Sequence, residues 1–162
     1  MDRVLFWLFW GIISFWALRT FYYSFNSRKL EQLRQATIGI DIAVLISFFF
    51  NFKPVSLGAR TGLDLLLSGD WFVIVFFALV FSSLILLLRK DNLQNKIGAV
   101  LHICASIFIF ILLYHLWPGG TATLRFVDSA LPIALLLLLT GNVSALLFWQ
   151  QLQLLERRRK RI

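Results

Sequence analysis

Five long, mostly apolar runs joined by connections too short to fold alone constrain this chain more than any other feature. They cover residues 4–25, 36–52, 71–88, 97–117 and 131–149. A helix that crosses a bilayer needs about 20 such residues, within a range of roughly 17–25. Each run reaches or approaches that length. The expected fold class is therefore an all-α membrane protein. Residues 1–162 form a single polytopic domain, a bundle of five transmembrane helices.

Composition supports this reading. Hydrophobic residues make up 59% of the chain and charged residues 15%. Such a chain is too apolar to stay disordered and has too little polar surface to cover a soluble core. The first run does not read as a signal peptide. Its apolar stretch is too long, no small-residue cleavage site follows it, and Arg19 is succeeded by more aromatics. The single cysteine, Cys104, has no partner for an internal disulfide.

The net charge of +8 follows from where the basic residues fall. Five spans place the N-terminus and the second and fourth connections on one side, with Arg3, Lys53, Arg60 and Arg125. The other twelve Lys and Arg, Arg19 among them, lie on the opposite side. Short loops rich in Lys and Arg stay cytoplasmic. The N-terminus is expected outside and the C-terminus in the cytoplasm, with a bacterial inner membrane as the expected location. Trp7, Trp10, Trp71, Tyr114 and Trp117 then mark the outer interface, and Tyr22, Tyr23 and Trp149 the inner one. The connection 53–70 is expected to hold a short interfacial helix at 55–67, supported by an Arg60–Asp64 pair at i,i+4. Gly69-Asp70 reads as the turn into the third span.

Ionisable residues inside spans are costly, which makes each a functional candidate. At about 1.5 Å per residue, Asp41 and His102 both lie roughly 7.5 Å from the cytoplasmic ends of their runs. Arg19 lies about 9 Å in. Ser82, Ser83, Asn142 and Ser144 fall in the same slab. The expected site is thus one intramembrane polar layer built on Asp41, His102, Arg19, Asn142 and Ser83. The small faces Gly98, Ala99, Ala105, Ser106 and Gly141, Ala145 suit close helix packing around it. The plainer reading of the layer is a structural network of interhelical hydrogen bonds. For Arg19 it is a side chain snorkelling to lipid phosphates.

Other chemistry has little support. The segment Gly58 to Gly62 lacks the Lys-Ser/Thr of a phosphate loop. No metal-ligand cluster, nucleophile elbow or catalytic set is present, so no enzyme is expected. Haem on His102 or His115 fits poorly. Their 13-residue separation leaves the rings roughly 140° apart around one helix, and the chain has no other histidine. The tail 150–162 ends in Arg157, Arg158, Arg159, Lys160 and Arg161, expected to anchor the topology and attract anionic lipid, or alternatively to dock an acidic protein or a lipid head group. Nothing there suggests nucleic acid. In size alone the chain is similar to the tryptophan-rich sensory (translocator) proteins. Pro54, Pro118 and Pro132 stand outside that family's Trp-Pro-Pro context, and no residue carries over.

These features lead first to a non-enzymatic accessory, assembly or scaffold subunit, working through helix contacts with a membrane-protein partner or as a homo-oligomer. The alternative is a small proton- or ion-coupled transporter or channel using Asp41, His102 and Arg19. A haem-bearing electron-transfer subunit stands third.

Overall fold

The computed structural model describes residues 30–53, 60–89, 91–116 and 129–159, together with Leu8, Gly11, Ile12, Phe15, Arg19 and Tyr22 of the first run. Those six residues are helical and exposed, and their spacing places them on one helix face. The remaining elements are α1 (Leu30–Ser47), β1 (Asn51–Lys53), β2 (Arg60–Thr61), α2 (Gly62–Leu67), α3 (Trp71–Leu88), α4 (Asn92–Leu116) and α5 (Leu131–Arg159). Three of these helices, α3, α4 and α5, are long and apolar enough to cross a membrane.

All four long helices bury a seam of the same spacing. On α3 it is Val73, Phe76, Val80, Ser83 and Leu87. On α4 it runs from Asn95 through Gly98, His102, Ala105, Ile109 and Leu112 to Leu116. On α5 it includes Leu131, Ala134, Leu138, Ala145, Phe148 and Leu152. On α1 it includes Leu33, Thr37, Ile40, Val44 and Ser47. Steps of three and four residues keep one narrow stripe turned to the neighbours, the geometry of bundle packing. The opposite faces stay apolar and exposed, as at Phe81, Ile85, Ile107 and Leu139. Exposed apolar faces of this extent mark surfaces that meet a membrane or another protein.

Near one end, α1 stops at Ser47 although the apolar run continues. Phe48, Phe49 and Phe50 donate to carbonyls three residues back, which tightens the chain into a turn. The strand pair β1–β2 follows, antiparallel with a bulge between Asn51 and Lys53. The expected span 36–52 is corrected to a helix over 30–47. An aromatic run alone does not distinguish a span from the turn and strand that close it. Phe48 and Phe52 are buried here, and Phe48 stacks on Phe76 at 5.9 Å. Gly62 approaches so closely that a Cβ there would stand 2.9 Å from Phe48 Cα.

The expected helix at 55–67 shrinks to α2. Arg60 lies in β2, and residues 54–59 fall outside the described residues. Asp64 closes a capping box with Thr61: its amide donates to Thr61 Oγ1 at 3.0 Å, and its carboxylate accepts from the Thr61 amide at 3.1 Å. Hydrogen bonding of the carboxyl to the Thr61 side chain first, and then to the Thr61 amide, with help from Arg60, holds it below the usual carboxylate range. Gly69 has φ +82°, a left-handed conformation that releases the chain into Asp70. Asp70 Oδ1 then caps α3 by accepting from the Phe72 and Val73 amides. This turn matches the one expected from Gly69-Asp70.

Ser129 fastens the start of α5. Its hydroxyl donates to Phe52 O at 2.8 Å, and the Ala130 amide donates to Asn51 O at 2.8 Å. Pro132 sits in the first turn of α5, where its missing N–H costs nothing. At the opposite end, Arg34 donates to Arg89 O and pairs with Glu31, while Lys96 pairs with Glu156 of α5.

The buried apolar residues form two separate clusters. One holds Ile40, Val44, Phe48, Phe76, Val80, Ile109 and Leu138; the other holds Leu33, Leu87, Ala99, Ala145, Phe148 and Leu152. A polar layer lies between them.

Candidate functional site

Asp41 is the centre of that layer. It is fully buried on the seam of α1, with the apolar side chains of Ile40, Ala43 and Val44 around it in sequence. One carboxylate oxygen, Oδ1, lies 2.6 Å from Nδ1 of His102 on α4. The other, Oδ2, accepts from the Ser83 hydroxyl of α3 at 2.7 Å. Ser83 Oγ also lies 3.0 Å from Gly98 O of α4. One side chain thereby ties three helices together.

The fourth helix enters through a glycine. A Cβ on Gly141 of α5 would stand 2.7 Å from His102 Cε1, and closer still to Nε2. The imidazole edge therefore lies directly on the α5 backbone. A Cβ at Gly98 would likewise meet Leu87 Cγ at 2.9 Å and Ser83 O at 3.1 Å. The small-residue faces read from the sequence are thus contact faces at this layer.

Two further pairs flank the centre. Thr37 Oγ1 and Ser144 Oγ are 3.0 Å apart on the side of Leu33. On the other side, Ser106 and Asn142 exchange bonds of 3.0 and 2.7 Å. Asn142 therefore bonds to Ser106 rather than to the Asp41 centre. Of the two adjacent serines, Ser83 turns inward and Ser82 is exposed. Arg19 is exposed, outside this buried cluster. The layer thus unites Asp41, His102 and Ser83 and leaves Arg19 out. That arrangement suits the snorkelling role for Arg19.

His102 Nε2 is buried and has no hydrogen-bond partner. A buried polar atom left without a partner costs about 1–3 kcal/mol.

This order of groups does not activate a nucleophile. Ser83 donates to Asp41, whereas a serine hydrolase needs its hydroxyl on the imidazole. Nor does a haem fit on His102, because the α5 backbone and Ile40 fill the space beyond Nε2. His115 engages elsewhere. Its Nε2 lies 3.1 Å from Asp70 Oδ2, and its ring stacks on Phe72 at 4.2 Å. The Asp70 contact was not apparent from the sequence, because 45 residues separate the two. Among the described residues no group of three or more His, Cys, Asp or Glu could hold a metal ion. Arg157 is exposed on the last turns of α5, while Lys160 and Arg161 lie outside the described residues.

A scan against protein-family models, a search of curated proteins and a search of solved structures each returned no match.

Proposed function

We propose that this chain is a five-span integral membrane protein with its N-terminus outside and its C-terminus in the cytoplasm. In this reading it serves as an accessory, assembly or scaffold subunit that acts through helix contacts within the bilayer. The bundle supports the topology: α1, α3, α4 and α5 alternate in direction. The end bearing Arg34, Arg89, Lys96 and Arg157 is richer in basic residues than the end bearing Lys53 and Arg60. The positive-inside bias puts the richer end in the cytoplasm. The exposed residues Leu8, Ile12, Phe15 and Tyr22 fit a lipid-facing stripe on the first span.

One observation carries the functional reading. Asp41 and Ser83 are fully buried and bonded to each other's helices, so their polarity is used to join helices. The test is Asp41→Asn, which can keep both bonds, beside Asp41→Leu, which keeps neither. The reading expects near-normal abundance and partner co-purification for Asn, and loss of both for Leu. Normal abundance of the Leu variant overturns it.

A second reading, proton-coupled transport, draws on the unpartnered His102 Nε2. It expects Asp41→Asn to abolish a pH-dependent flux in proteoliposomes at normal protein level. Unchanged flux in that variant removes this reading.

A further inference from the structure

The Asp41–His102 pair does not lie midway between the two ends of the bundle. Along α4, Asn95 precedes His102 by seven residues, about 10 Å, and Leu116 follows it by 14, about 21 Å. The long way and the short way are also built differently. Beyond Ser106 and Asn142 the long way is apolar: Ile109, Leu112 and Leu116 of α4 share one cluster with Phe48, Phe52 and Phe76. Ser47 in that stretch turns its hydroxyl back to Val44 O.

The short way starts in a cleft. Between the first turns of α1 and α4 and the side of α5 lies a space of about 320 Å³, lined by Leu30, Glu31, Arg34, Asn92, Asn95 and Phe148. Glu31 and Asn92 are exposed on its rim. At roughly 30 Å³ per molecule it has room for about ten waters. Phe148 lines it and, 1% exposed, also belongs to the small apolar cluster on this side of the polar layer. Ser144 lies one turn along α5 from Phe148, and its hydroxyl meets Thr37 Oγ1 at 3.0 Å. Thr37 in turn stands one turn before Asp41 on α1. A polar step therefore lies between the wall of the cleft and the carboxylate, behind one layer that Phe148 shares with Leu33 and Ala99.

We propose that the Asp41–His102 pair exchanges its proton with water at the basic end alone, through this cleft and across Thr37 and Ser144, with the Phe148 ring as the barrier. A hydroxyl both accepts and donates, so the Thr37–Ser144 pair passes one proton on as it receives another, which an apolar layer cannot do. The ring swings aside in a local opening, not in unfolding of the bundle. No other titratable group competes from the facing helices: α3 carries none over residues 71–88 and α5 none over residues 131–149. At the cleft, Arg34 is held by Glu31, and Lys96 nearby on α4 by Glu156. The route goes beyond the function proposed above, since it serves a pair that only joins helices as well as one that carries protons.

The experiment is hydrogen–deuterium exchange of the proton shared by His102 Nδ1 and Asp41 Oδ1, followed by NMR of the full chain in nanodiscs with isotope-labelled histidine. His115→Gln leaves His102 as the chain's one histidine. Phe148 and Phe76 are both buried, one in each apolar cluster, and cutting either to alanine leaves a cavity of similar size. The expected result is exchange about tenfold faster in Phe148→Ala and less than about twofold faster in Phe76→Ala. Equal acceleration in the two, faster exchange in Phe76→Ala, or no acceleration in either overturns the proposal. If an alanine variant unfolds, Phe148→Leu and Phe76→Leu make the same comparison. Sidedness is read from Ser144→Cys in a Cys104→Ala chain sealed in vesicles. Silver ion, a small thiol-seeking cation, should block this cysteine from the side that bears Glu156 and not from the side that bears Lys53. Block from the Lys53 side, from both sides alike or from neither overturns the route. No readout here uses partner binding or flux, so its failure is distinct from failure of either reading above.

Discussion

Replacing Gly141 by Ala sets two effects of opposite sign against each other. On propensity alone, Gly→Ala in a helix gains about 1 kcal/mol. At this site the new methyl meets His102 Cε1 at 2.7 Å, Nε2 closer still, and Ile40 Cδ1 at 3.1 Å. The histidine cannot retreat without leaving Asp41, to which it is held at 2.6 Å. Overpacking of this kind costs about 1–3 kcal/mol. The variant should therefore unfold earlier than wild type in SDS titrations of mixed micelles. The same substitution in a His102→Asn background tests the cause. Asn places an amide near the position of Nδ1, keeps a donor to Asp41, and lacks Cε1 and Nε2. There Gly141→Ala should be neutral or stabilising by up to about 1 kcal/mol. A coupling of about 1–3 kcal/mol between the two sites is the expected signature. An equal loss in both backgrounds, or no loss in either, would refute the assignment of His102 to the α5 backbone.

Further outcomes follow from the same geometry. Asp41→Leu should cost about 3–5 kcal/mol in that titration, because it leaves His102 and Ser83 buried without their partner. Ser83→Ala should cost less, about 0.6–2 kcal/mol, the range for interhelical bonds in membranes. The Asp64 carboxyl is held below its ordinary value of 3.8, so its contribution to the α2 cap is present above that value. It disappears as pH falls through the lowered one. Hydrogen exchange at the Thr61 amide, which donates to that carboxylate, should accelerate at low pH relative to neighbouring amides after correction for intrinsic rates, and far less in Asp64→Asn. For topology, a cysteine at Glu156 should react with a membrane-impermeant maleimide only after the cells are opened, and one at Lys53 before. The reverse order overturns the orientation.

Much of the layer was legible because a helix converts residue number into depth. Residue number alone puts Asp41, His102 and Ser83 in one slab, and the Gly141–Ala145 spacing identifies Gly141 as a packing residue. Rotation about each helix axis was harder to read. Ser82 and Ser83 are neighbours in sequence and depth, yet one faces out and the other bonds to Asp41. Asn142 sits at the right height but turns to Ser106. The third span, 71–88, matched α3 because Asp70 and Arg89 bracket a clean apolar run. The second did not, because Phe48 and Phe52 are as apolar as a span but are used to close the bundle's end.

The bonds of Asp41 also impose a timetable. Its partners Ser83 and His102 follow it by 42 and 61 residues. At about 5–20 residues per second, roughly 3–12 s of synthesis separates the carboxylate from its imidazole. In the proposed five-span topology, α1 would carry an acid into hydrocarbon during that interval with nothing to receive it, at a cost of a few kcal/mol. Under that topology, stable residence of α1 in the bilayer waits for α4 to be made. A nascent chain truncated before residue 102 should leave α1 easier to extract from the membrane than one that includes it.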